Sequence, residues 1–141
     1  MSSGWRIARI DELESFDVAE GGLTWRPVRR HFDIRAFGVN AYTAKRAGQR
    51  VVEEHRESGG HEELYVVLTG RATFELEGEA HDAPAGTLVH CLPGTKRGAV
   101  AAEPGTTVLG IGAKPGEAYV PSHFIVPPPP AWDVPKAPPK S

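Results

Sequence analysis

Short alternating runs of apolar and polar residues, broken by glycine and proline, set the rhythm of this chain. In Ala72-Thr73-Phe74-Glu75-Leu76 the apolar side chains fall at every second position, the period of a strand with one buried face. Ala72, Phe74 and Leu76 are expected inward, and Glu77-Gly78-Glu79 turns the chain. Glu63-Leu64-Tyr65-Val66-Val67-Leu68, rich in β-branched and aromatic residues, reads as a central strand ending at Thr69-Gly70. Further strands are predicted from Gly48 through Val51, Val52 and His55, from Leu88 to Leu92, from Arg97 to Ala102, and from Thr106 to Ile111. Ser58-Gly59-Gly60, Pro84-Ala85-Gly86, Pro93-Gly94-Thr95 and Pro104-Gly105 are the intervening turns.

Upstream, Trp25 to Thr43 reads as two strands. Pro27 holds Arg26 extended, and Phe37, Val39 and Ala41 lie opposite Gly38, Asn40 and Tyr42. Residues 5–10 alternate loosely, and Asp11 is expected to cap a single helical turn through Phe16. The last 21 residues hold eight of the 13 prolines, including Pro127 to Pro130, and are expected as an extended tail. The division is therefore one β domain over residues 1–120 and a proline-rich tail over 121–141. Many short strands at regular spacing indicate an all-β sandwich or barrel.

With 141 residues there is material for one domain of ordinary size. The formal net charge of -2, with no long basic block beyond Arg26, Arg29, Arg30 and His31, argues against a nucleic-acid partner. The single cysteine, Cys91, can form no intrachain disulfide, which suits a reducing cytoplasm. No apolar run reaches signal-peptide or membrane-span length, so neither export nor membrane attachment is expected.

Two stretches carry chemistry. The first is Gly48-Gln-Arg-Val-Val-Glu-Glu-His55-Arg-Glu57-Ser-Gly-Gly-His61-Glu-Glu63, followed by six residues and then Gly70; the second is Gly78, five residues, then Pro84-Ala85-Gly86. Together, over about residues 45–112, they resemble the paired motifs of the cupin family. That resemblance implies a cupin-type β-barrel (double-stranded β-helix, or jelly roll), often assembled as a homodimer. It also implies a metal held by three histidines and a glutamate. His55 and Glu63 stand at two of those positions, Glu57 stands where the second histidine belongs, and eleven residues beyond Gly86 the last histidine is replaced by Arg97.

A guanidinium has five donors and no lone pair, so it cannot ligate a metal. Two arrangements are open. Arg97 pairs with Glu63 or Glu57 inside the barrel, giving an ion-pair network or an anion-binding pocket. Alternatively Arg97 swings away, and His55, Glu57, His61 and Glu63 hold one divalent transition metal such as zinc, iron, manganese or nickel. The cofactor is thus either none or one such ion.

The candidate catalytic residues are His55, Glu63 and Arg97, and the candidate substrate contacts are Arg97, Tyr65, Asn40 and His90, with Tyr42 and Arg35 able to complete the pocket. Against these stand plainer roles. Tyr65 suits core filling, His90 suits the core beside Leu88 and Leu92, and Cys91 suits a small buried residue. His31, His81 and His123 fit no ligand spacing. The functions left open are binding of a small polar or anionic metabolite with acid–base chemistry of isomerase, epimerase or lyase type, a metal-dependent oxygenase or lyase, and a non-catalytic dimeric interaction module.

Overall fold

Residues 4–19, 21–56 and 59–120 are described by a computed structural model. Glu57 and the proline-rich tail, with His123, lie outside the described residues. In chain order the elements are β1 (Phe16–Val18), β2 (Leu23–Arg26), α1 (Val28–Phe32), β3 (Gly38–Thr43), β4 (Arg50–Arg56), β5 (Glu62–Thr69), β6 (Arg71–Leu76), β7 (Glu79–Pro84), β8 (Leu88–Cys91), β9 (Lys96–Ala101) and β10 (Thr107–Ala113). They form two antiparallel sheets, one ordered β1-β2-β3-β10-β5-β8 and the other β4-β9-β6-β7.

The period-two pattern is realised at β6, where Ala72 and Phe74 are fully buried while Thr73 and Glu75 face outward. From the other sheet Tyr65, Val67, Val89 and Val108 meet Phe74, Ala99 and Ala101 in one core, the Tyr65 and Phe74 rings lying 5.7 Å apart. Each large side chain buried there contributes about 1.5–3 kcal/mol.

The outer faces differ. On the four-stranded sheet, Arg50 meets Glu75 at 3.1 Å, Arg56 meets Glu77 at 3.0 Å and Arg71 meets Asp82 at 2.5 Å. On the six-stranded sheet, Leu64, Val66 and Leu68 point outward from β5, and Leu88 and Leu92 are 64% and 60% exposed.

Two local expectations change. Between Trp25 and Thr43 a single helical turn, α1, interrupts the two strands. Arg29 is buried within it, donating from Nη1 to the Ile34 carbonyl at 3.1 Å, and Asp33 ends it in the left-handed region at φ 54°. Near the N-terminus a 3-10 turn covers only Ile10–Glu12, so Asp11 lies inside it and is not its cap. Phe16 instead opens β1 opposite Trp25, with ring centroids 5.6 Å apart.

Candidate functional site

Strand alternation on β5 turns Glu63, Tyr65 and Val67 to the interior. In register, Glu63 sits opposite Gly112 on β10 and Cys91 on β8. A Cβ at Gly112 would lie 2.9 Å from the Glu63 Cγ, so the missing side chain makes room for the carboxylate. In the other sheet Arg97 on β9 is paired with His55 on β4 and with Leu76 on β6. The same inward parity that buries Ala99 and Ala101 buries Arg97.

Arg97 is 0% exposed and is the largest fully buried side chain among the described residues. It spans the two sheets: Nη2 donates to Glu63 Oε1 at 2.8 Å and Nη1 to the Thr95 carbonyl at 2.6 Å. Its Nε has no hydrogen-bond partner among the described residues. Burial opposes its charge, yet Tyr65, Glu63 and Cys91 together outweigh that and raise its pKa. The buried charge is thus compensated, as a desolvated ion must be.

Tyr65 donates its hydroxyl to the same Glu63 oxygen at 2.9 Å. Burial first, and the Glu63 charge second, push the Tyr65 pKa far above the ordinary phenol range, which keeps it a neutral donor. Tyr42, on the same inner face, is pushed up to about 12 by burial and then by Glu63 and Glu53. His55 Nδ1 lies 2.6 Å from the Glu53 carbonyl, which can only accept, so Nδ1 carries the hydrogen. That turns Nε2 toward Glu63 Oε1, at 3.9 Å.

At this end the surface opens at the rim. A cleft of about 370 Å³ is bordered by Phe37, Glu62, Glu63, His90, Ile111 and Lys114. Glu63, with 21% of its side chain exposed, is the residue that the cleft and the buried network share. Lys114 brings a cation to the cleft, 3.9 Å from Glu117.

The candidates sort accordingly. His55, Glu63, Tyr65 and Arg97 converge, and Arg97 adopts the ion-pair arrangement with Glu63 and does not swing away. Full burial, however, denies Arg97 the direct substrate contact expected of it. Asn40 faces inward but is engaged, its Oδ1 accepting from Trp25 Nε1 at 2.9 Å. His90 does not enter the core beside Leu88 and Leu92. All three point outward, and His90 hydrogen-bonds Glu62 on the outer rim of the cleft. Arg35 is a surface residue bound to Asp33 at 3.0 Å. His61 lies against Tyr119, ring centroids 6.5 Å apart, and Glu57 is outside the described residues. Cys91 is 1% exposed, its thiol pKa raised by burial.

Tyr119 was not among the candidates. It reaches the barrel mouth from the segment after β10, where a Cβ at Gly38 would lie 2.7 Å from its hydroxyl. A glycine interrupting an otherwise strand-like run is the one sequence signal of such a close approach.

A divalent metal fits these residues poorly. Glu63 Oε1 already accepts two hydrogen bonds, and among the described residues no three His, Cys, Asp or Glu side chains come together to hold an ion. A divalent cation about 4 Å from the guanidinium would meet about 8 kcal/mol of repulsion at an effective dielectric of about 20.

No family model matches the chain, and no curated protein is significantly similar to it. Solved structures are similar. KdgF from a Halomonas species has a TM-score of 0.62 at 24% identity, covering 72% of this chain and 86% of its own. An RmlC-like cupin from Desulfovibrio desulfuricans has 0.60 at 24%, covering 77% and 97%. A protein described as a sugar phosphate isomerase of the cupin superfamily, from Silicibacter pomeroyi, has 0.63 at 16%, covering 77% and 76%. The chain has the cupin fold. Among its described residues no helix is long and apolar enough to cross a membrane.

Proposed function

We propose that this cupin-fold protein binds a small polar or anionic metabolite in the rim cleft and moves a proton on it with Glu63 and His55. The observation that carries the reading is the Glu63 carboxylate, fixed by Arg97 at 2.8 Å and Tyr65 at 2.9 Å, facing His55 Nε2 at 3.9 Å. A cleft of about 370 Å³ is of the size that takes a small metabolite. Glu63, paired with Arg97, is the base; His55 Nε2, 3.9 Å from the same oxygen, is the second proton carrier, to which Glu63 passes the proton. Such a pair suits isomerisation, epimerisation or elimination next to a carbonyl. Arg97 is a positioning residue in this scheme, and Lys114 supplies the cation that an anionic substituent would meet. The similar structure described as a sugar phosphate isomerase makes sugar phosphates the first compounds to try.

The test is amide NMR of the protein titrated with sugar phosphates, uronates and 2-hydroxy acids, followed by incubation of each binder in D₂O. A binder should shift resonances around Glu63 and Lys114 and take up deuterium at a carbon next to its carbonyl. In Glu63→Gln that uptake should fall by a factor of about 100 or more. Binding confined to surfaces away from Glu63 would refute the proposal.

We also propose that the barrel forms a homodimer through the outer face of the six-stranded sheet. Leu88 opens β8 and Leu92 follows it, and β8 is an edge strand with unpaired backbone groups to offer a second copy, whereas the other sheet presents ion pairs. Light scattering should give a dimer that Leu88→Lys turns into a monomer; an unchanged dimer would exclude this face.

A further inference from the structure

Two potential ligands, the His55 imidazole and the Glu63 carboxylate, face each other at 3.9 Å, and the side chain that reaches the same carboxylate oxygen is neither acid nor imidazole but Arg97. From its position we infer that the Arg97 guanidinium is a built-in cation standing where a divalent transition metal would sit between His55 and Glu63. This one side chain decides whether the barrel mouth takes a metal.

The competition is for the same lone pairs. Arg97 Nη2 and the Tyr65 hydroxyl both donate to Glu63 Oε1, the oxygen that His55 Nε2 also faces. A metal would need that oxygen and that nitrogen as donors, and the guanidinium answers it with like charge and with hydrogens. The arginine is also locked. Its other terminal nitrogen is held by the Thr95 carbonyl at 2.6 Å, it has no exposed surface, and its backbone is in register with His55 across β4 and β9. It therefore cannot move aside as an exposed arginine would. An imidazole at position 97 would carry a lone pair into the same space and complete a two-histidine, one-carboxylate set, which suits cobalt, nickel or zinc.

Full-length protein without an affinity tag, stripped with EDTA, is titrated with Co²⁺ and followed by equilibrium dialysis and visible absorption. The wild type should hold less than about a tenth of an equivalent in any form that His55→Ala removes. Arg97→His should bind about one equivalent, on the order of 100-fold more tightly, and lose it again when His55→Ala or Glu63→Gln is added. A wild type that takes a full equivalent through His55 would overturn the inference, as would a folded Arg97→His no better at binding cobalt than its parent. Should Arg97→His fail to fold, the comparison of wild type with His55→Ala decides alone. Comparing each protein with its His55→Ala counterpart also separates this site from cobalt caught at Glu62 and His90.

Discussion

The two ends of the barrel interior are built on different physics. At one, Phe74, Val67, Val108, Ala72 and Ala101 are buried to within 1% of completely and held by contacts that have no direction. At the other, Arg97, Glu63, Tyr65 and His55 are held by a few hydrogen bonds of fixed geometry. Dispersion and apolar burial act in any packed arrangement of suitable volume. A buried guanidinium is acceptable only where its partners stand at the right atoms. The apolar end therefore sets how stable the protein is, and the polar end sets what its one accessible carboxylate can do.

The largest effect should come from the apolar end. Phe74→Ala is expected to cost about 3–5 kcal/mol in urea or guanidinium unfolding because it empties the centre of the core beneath Tyr65. Where the variant stays folded, the chemical shifts of His55 should change little. A shift there as large as that produced by Glu63→Gln would mean that the two ends are one coupled unit.

Next, Arg97→Met leaves Glu63 without its cation and should cost about 2–4 kcal/mol, at the lower end of what breaking a buried pair costs because Glu63 keeps some solvent contact. Adding Glu63→Gln should restore part of that loss, giving a coupling of about 1 kcal/mol or more in a double-mutant cycle. Strict additivity would show that the two charges act independently, and the polar end would then not be a network.

These two regions also differ in how much of them could be read in advance. The apolar end follows from period-two alternation alone, since Ala72, Phe74, Tyr65 and Val67 keep their parity in the finished sheets. Arg97 and Glu63 are marked by the resemblance to the cupin motifs, counted from Gly86 and Gly70, and their facing one another needed the sheets. Of the two places open to His90, the core one fails for a physical reason. Parity was assigned from its apolar neighbours Leu88 and Leu92, but on this edge strand the leucines face outward and Val89 and Cys91 face in. Tyr119 reaches the mouth on a segment with no period, and α1 is too short to show one. Such features are fixed by tertiary contacts, which leave no pattern in a single sequence.

A smaller effect concerns pH. The Tyr42 pKa is raised from 10.0 to about 12 by burial, then by Glu63 and Glu53. The folded protein thus keeps this proton after the unfolded chain has lost it. Stability from this group is complete below about pH 10 and falls as the pH rises through about 12, by up to about 2–3 kcal/mol. Tyr42→Phe should flatten the decline in unfolding free energy between those values. If the slope is unchanged in Tyr42→Phe, the alkaline loss belongs to other groups, with Tyr65 the first to examine.

The smallest effect tests the polar end most sharply. Tyr65→Phe keeps the ring that packs on Phe74 and deletes one hydrogen bond to Glu63 Oε1, so it should cost only about 1 kcal/mol. Its larger consequence should appear on the carboxylate. Losing that donor leaves Glu63 Oε1 held by Arg97 alone, so the Glu63 side-chain carboxyl carbon resonance should move in Tyr65→Phe. A carboxyl resonance that does not move, together with an unchanged stability, would make Tyr65 core filling whose hydroxyl is incidental. A displaced carboxyl resonance at nearly unchanged stability is what a directional network laid over an indifferent core requires.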